Sequence, residues 1–185
     1  MKLKLSKRSG KTRSTLTQIR FRGDIPSVIY QKGVPSESVC VDGGAFQAAL
    51  RGLKRGYLPT TIFQLDLNGS ASQAIVKEIQ YHPTTYRIIH LDFLKMTPGQ
   101  KVDVKVPVVC TFQEQCVGIK LGGFLRRVIR HLKVRCLPEN IPRDFRVDIR
   151  DLGVGETKRV RDIEMAETLE CLTSPSEVVL VIAKR

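Results

Sequence analysis

"IQYHPTTYRIIHLDF", residues 79–93, sets two histidines, an arginine and an aspartate among apolar residues. Read as a strand over 86–93, its side chains alternate between two faces. Ile89, Leu91 and Phe93 then share one side, and Ile88, His90 and Asp92 share the other. The first side is apolar enough for a core. His90 and Asp92 become neighbours on the exposed side of a rigid element.

Outward from that strand the chain is rich in β signals. Val28–Tyr30, Ser38–Val41, Thr61–Leu67 and Ala74–Gln80 carry β-branched residues or alternation. Asn68-Gly69 is a strong hairpin signal between the last two. "GGAFQAALRGLKRG" (43–56) spaces Phe46, Ala49, Leu50 and Leu53 as a helix ended by Gly56. Pro98-Gly99 marks a boundary, dividing the chain into domains 1–95 and 96–185. Beyond it, "VDVKVPVVCTF" reads as a strand whose Pro107 predicts an edge or a bulge. Leu125, Val128, Ile129 and Leu132 form a short helical stripe, predicting a basic helix over 124–135. "FRVDIRDL" and "VVLVIA" read as further strands. The fold class is mainly β (α+β), a small β-rich first domain with one helix being followed by a second, mainly β domain.

The formal net charge is +13 over 185 residues, which favours a polyanionic partner, nucleic acid first and an acidic membrane second. Position strengthens the case for nucleic acid. The first 23 residues carry eight Lys or Arg and no acid, and 115–138 carry six more, again without an acid. No apolar run of signal-peptide or membrane-spanning length follows the basic start. The five cysteines are scattered without a C-x-x-C pair, which fits reduced, mostly buried thiols in an intracellular chain.

The chemistry of the opening stretch narrows in the same direction. His82, His90 and Asp92 lack the short helical spacing of a zinc site, so no metal is expected. A His–Asp pair needs a nucleophile or bound substrate for catalysis, and the sequence marks neither. No phosphate-cradling Gly-rich loop is present, and no cofactor is implied. What remains is a plain surface pair or a contact to nucleotides. Histidine can donate to a phosphate or base, and a carboxylate accepts from the amino edges of guanine or cytosine. The basic N-terminal stretch, with its Ser, Thr and Gly, can approach phosphates closely, or can be a solvated terminus. Tyr30, at a strand end, can stack on a base or be an ordinary half-buried aromatic.

"GDIPSVIY", "VKEIQYHP" and "HLDF", in this order, closely resemble the bacterial large-subunit ribosomal protein family numbered twenty-five, also called the CTC or general stress protein family. "VGIKLGGFLRR…LKVRCLPENIPRDFRVDIRDLGVGE" resembles the second domain of its longer members, so nearly the whole chain is covered. The resemblance implies a six-stranded, β-barrel-like first domain similar to anticodon-binding domains, and a mainly β second domain with small helices. It implies a non-enzymatic, cytoplasmic, ribosome-associated protein that binds 5S ribosomal RNA at the internal loop called loop E. It assigns RNA contact to Arg8 and Lys11, to Tyr30 closing the I-P-x-x-x-Y strand, to Lys77, and to His90 and Asp92 of H-x-D-F. Arg13, Ser14 and Arg20 join them from the basic stretch, where "GKTRSTLTQIRFRG" departs from the usual family pattern. The second domain would touch neighbouring ribosomal proteins or 23S RNA. A stress-associated RNA or tRNA binder acting off the ribosome and a His/Asp nuclease are the competing classes.

Overall fold

The computed structural model describes residues 1–184 apart from Ser9, Lys11 and Asn68. The chain forms two compact units, Met1–Gln100 and Lys101–Arg185.

The first unit is a closed barrel in the order β1-β3-β2-β6-β5-β4. Its first strand, β1 (Lys2–Lys7), comes from the basic N-terminal stretch, which the sequence reads as a phosphate contact or a solvated terminus. The alternation Lys-Leu-Lys-Leu explains the difference. Leu3 and Leu5 enter the core while Lys2 and Lys4 stay outside. β1 pairs antiparallel with β3 (Val34–Asp42) and parallel with β4 (Ile62–Leu67), which closes the wall.

The rest of the basic stretch is helical. Thr12 caps α1 (Arg13–Phe21), its hydroxyl accepting from the Thr15 N–H at 3.5 Å. Thr15, Leu16 and Ile19 are half-buried, whereas Arg13, Ser14, Thr17, Arg20 and Phe21 are exposed. The helix lies against β2 (Asp24–Gln31). Pro26 and Cys40, cross-strand partners that alternate away from the barrel core, are nevertheless buried, on the side where Thr15 and Ile19 of the helix stand near Cys40.

Asp42 caps α2 (Gly43–Arg51) by accepting from the Gly44 N–H at 2.8 Å. A β-carbon at Gly43 would collide with the Gly23 carbonyl, so the helix can begin this close to the β2 entry only with glycine there. The helix stops at Arg51, with Gly52 as its C-cap, earlier than the Gly56 expected from the sequence. Gly52 is the first poor helix former after the opening Gly43-Gly44, and Leu53 packs against the core from outside the helix. Phe46 is fully buried, its ring centroid 6.2 Å from that of Phe63.

β4 and β5 (Ser70–Tyr81) form a hairpin with Leu67 opposite Ser70. Gly69 has φ +84° and its N–H donates to Asp66 Oδ1, while Asn68 of the expected turn lies outside the described residues. β5 then breaks its own alternation. Val76 faces Phe93 and Glu78 faces Asp92, leaving Lys77 as the extra residue of a β-bulge. The phase shift lets both Val76 and Ile79 pack on the core. β6 (Ile88–Lys95) sits between β5 and β2, pairing antiparallel with the first and parallel with the second. The unit ends in a turn whose Gln100 N–H donates to Thr97 O, with Pro98 and a positive-φ Gly99 at its centre.

The second unit contains a sheet ordered β10-β7-β9-β12 and another ordered β11-β13-β8. β7 (Val102–Thr111) buries Val102, Val104, Val106 and Val108. It pairs with β9 (His131–Cys136) up to Pro107 and with β10 (Phe145–Asp148) from Val108 onward. Over Val102–Pro107 the strand pairs with β9 alone, so Pro107 lies on a locally open edge, as its sequence predicts, just before β10 takes up the pairing. Pro107 stands where the strand changes partners, a point at which a missing N–H is tolerated. Asp103 and Arg135, opposite each other across β7 and β9, form a forked pair at 2.7 and 3.2 Å. β12 (Glu170–Cys171) completes this sheet.

The expected basic helix over 124–135 is absent. α3 (Val117–Lys120) is followed by β8 (Phe124–Arg127), and β9 begins at His131. β8 lies against β13 (Val178–Ala183), with Leu125 opposite Ile182 and Arg126 opposite Val181, and β11 (Thr157–Arg159) takes the other side of β13. Pairing with a distant apolar strand outweighed a short helical stripe that itself contains β-branched Val128 and Ile129.

Phe63→Ala should lower the unfolding free energy of the barrel by about 3–5 kcal/mol, because the ring is fully enclosed and rests on Phe46. Urea denaturation of the full chain, followed by circular dichroism, measures the loss. A loss under about 1 kcal/mol would mean that the Phe46–Phe63 contact does not anchor this core.

Candidate nucleic-acid interface

Three adjacent strands, β2, β6 and β5, gather four of the residues singled out from sequence. Leu91 and Phe93 are completely buried, so His90 and Asp92 face outward as the pleat requires. Val28 and Glu78 flank Asp92 in register on the two neighbouring strands, and Gln80 lies beside His90. Tyr30 is two residues along β2 from Val28 on the same face. The bulge turns Lys77 and Glu78 both outward at this level.

His90 Nδ1 stands 2.7 Å from Asp92 Oδ1, with both side chains about three-quarters covered. The approach suits an ion pair with a protonated ring but lacks the alignment of a hydrogen bond at Nδ1. The pair is a pre-set unit on a rigid strand, and its carboxylate keeps acceptor capacity for another molecule. The Tyr30 hydroxyl is pushed above the ordinary tyrosine range, first by burial, then by the negative charges of Asp92 and Glu78. Tyr30, Asp92 and Glu78 thus share one electrostatic neighbourhood. Glu78 was missed from the sequence because strict alternation through 74–80 hides the bulge that puts it there.

The basic residues sit on the flank. Arg20, in the last turn of α1, donates from Nε to the Ile89 carbonyl at 3.2 Å, fastening the helix to the strand that bears His90 and Asp92. Arg13 and Ser14 are exposed in the first turn of the same helix. Arg8 is elsewhere, half-buried beside Cys40 and Asp24 between β1 and α1, with one guanidinium N–H on Gly10 O at 3.2 Å. Lys11 lies outside the described residues.

Among the described residues no three His, Cys, Asp or Glu side chains converge as metal ligands. Cys40, Cys110, Cys116 and Cys136 are buried, and burial raises the thiols of Cys40, Cys110 and Cys136. No helix among the described residues is long and apolar enough to cross a membrane.

A closed barrel with a basic helix fastened beside a His–Asp face, followed by a second β unit, defines a structural protein of the ribosome once the sequence comparisons are added. Residues 3–93 match the ribosomal L25p family, and 101–185 match the C-terminal domain of ribosomal protein TL5. Proteins named large ribosomal subunit protein bL25 are similar over the full length of both chains: 40% identical in Chlamydia abortus, 39% in Chlamydia trachomatis serovar L2 and 36% in Chlamydia pneumoniae. The chain belongs to the ribosomal L25p family, in its longer form carrying the TL5-type C-terminal domain. It is accordingly a non-enzymatic, ribosome-associated protein of the bacterial cytoplasm.

In an alkaline titration followed at 295 nm, the Tyr30 contribution, isolated by subtracting Tyr30→Phe, should rise above the ordinary value of about pH 10. Asp92→Asn should move it back only partly, since burial is the larger cause. Because the folded value is raised, the stability tied to Tyr30 is present below about pH 10 and falls as pH rises through it. No movement in Asp92→Asn would separate the two groups.

Proposed function

We propose that this protein binds 5S ribosomal RNA within the large subunit, at the loop E internal loop, through the outer face of β2, β6 and β5. The observation that carries the reading is the His90–Asp92 pair, joined by Tyr30 and by a second carboxylate, Glu78, on the surface of a strongly basic protein. Carboxylates repel phosphates, so a face built for backbone contact alone would exclude them. They are useful where amino groups must be recognised. The minor groove of double-helical RNA is wide and shallow, displaying 2′-hydroxyls and the guanine amino group, and a gently curved sheet face fits it.

Affinity then comes from the flank. Arg13, Ser14 and Arg20 of α1, with Arg8 and Lys11 before it, contact phosphates and set the register, and Lys77 does the same from the bulge. His90 and Asp92 read base edges, and Tyr30 contributes contact area or a hydroxyl. The second unit extends the footprint to 23S RNA or neighbouring proteins. Its Arg126 and Arg127 are exposed on β8, at the edge of its sheet, rather than on a helix.

Titration of wild type, His90→Ala and Asp92→Ala against 5S RNA and a loop-altered control tests the division of labour. Each variant should lose about 1–3 kcal/mol on the intact loop, and Asp92→Ala should gain slightly on the control through lower repulsion. Equal tightening of Asp92→Ala on both RNAs would sink base readout by this pair.

Residues 1–100 alone should keep most of the 5S affinity. In the same assay Arg13→Ala should reduce the salt slope by about one unit. A folded 1–100 fragment that ignores 5S RNA would move the binding surface to the second unit.

A further inference from the structure

The opening stretch of sequence has a part that the His90–Asp92 face does not use. Residues 82–87 form a turn closed by two backbone hydrogen bonds, Tyr86 N–H to His82 O at 2.9 Å and His82 N–H to Arg87 O at 2.8 Å. Between this turn, the end of α1 and the start of α2 lies an open groove of about 470 Å³. Its charged and polar lining includes Arg20, Arg87 and His82, with Asp24 as the one acid among the lining residues. The volume is within the range of sites that take a single small molecule or nucleotide.

Three details make the groove more than a gap. Arg20 spends only Nε on the Ile89 carbonyl, which orients the guanidinium and leaves its other N–H groups as donors. His82 Nδ1 accepts the Thr85 N–H at 3.3 Å, so the neutral ring must carry its proton on Nε2, a second oriented donor. Tyr86, between the lining residues Thr85 and Arg87, is 78% exposed and has φ 53°. A bulky side chain in the left-handed region is strained, and no burial compensates Tyr86. An exposed aromatic held there beside an arginine is suited to stacking on a base, a contact that every base permits.

We propose that this groove binds one unpaired nucleotide of RNA, with Arg20 and Arg87 on the phosphate, His82 Nε2–H as an additional donor, and Tyr86 stacked on the base. It is a further RNA contact on the barrel, distinct from base readout by His90 and Asp92 and sharing Arg20 with the phosphate contacts of α1. It rests on the proposed 5S RNA binding only for the identity of the RNA.

The test uses the full chain with two probes, 5S RNA and a labelled twelve-nucleotide single-stranded RNA of mixed sequence. Tyr86→Gly should raise the melting temperature, because strain is relieved, and should weaken binding of the single strand about five- to a hundredfold. Tyr86→Phe should bind as wild type. Arg87→Ala should weaken both probes and lower the salt slope. Wild-type affinity of Tyr86→Gly for both probes overturns the proposal, as does a loss equally large in Tyr86→Phe, and so does a wild type that binds neither RNA. A wild type that binds the single strand but not 5S RNA, with Tyr86→Gly still impaired, keeps the groove and removes the 5S assignment. Binding of 5S RNA that Tyr86→Gly leaves unchanged, without binding of the single strand, removes the groove alone.

Discussion

Everything on the functional face depends on the closure of the barrel by its first strand. β1 joins β3 and β4, so a sheet that would otherwise present two open edges has none. Leu3 and Leu5 enter the same core as Leu65, Leu91 and Phe93. That shared core fixes which way β6 faces, and a slip of one residue would send His90 and Asp92 inward. Lys2–Lys7 thus hold shut the wall that carries His90 and Asp92.

The surface itself is set by a local irregularity. Without the bulge at Lys77, strict alternation from Val76 would send Glu78 inward and turn Ile79 out of the core. The extra residue restores packing for Ile79 and places Glu78 opposite Asp92. Like charges facing each other across strands are unfavourable in an isolated sheet. Here they lie close to His90 and to the Tyr30 hydroxyl, which burial first, and their charge second, keeps protonated to higher pH. A ligand that brings amino or hydroxyl donors to this face relieves that repulsion, whereas a bare phosphate aggravates it.

The helix α1 fastens basic residues beside the His–Asp face. Its inner side faces β2 and Cys40, and Arg20 ties its end to the backbone of Ile89. Exposed Arg13 and Ser14 are therefore carried on a helix whose end is fastened to the strand that bears the His–Asp pair.

The sequence by itself determined the mainly β class, the alternation that pairs His90 with Asp92 above Leu91 and Phe93, and the turn at Pro98-Gly99. Each is written in period-two patterning or in residues with strong turn preferences, which act over a few positions. The sequence also carried the motifs that mark the family. It did not show that Lys2–Lys7 closes a barrel, because the partners of that strand are some thirty-five and sixty residues away. It pointed to a helix at 124–135 because four apolar residues happen to share a helical spacing, and pairing with Val178–Ala183 decided otherwise. Tertiary structure alone brought Glu78 to Asp92, Arg20 to Ile89, and Arg20 and His82 to one groove. These depend on bulges, register and helix docking, which emerge only when distant segments pack against each other.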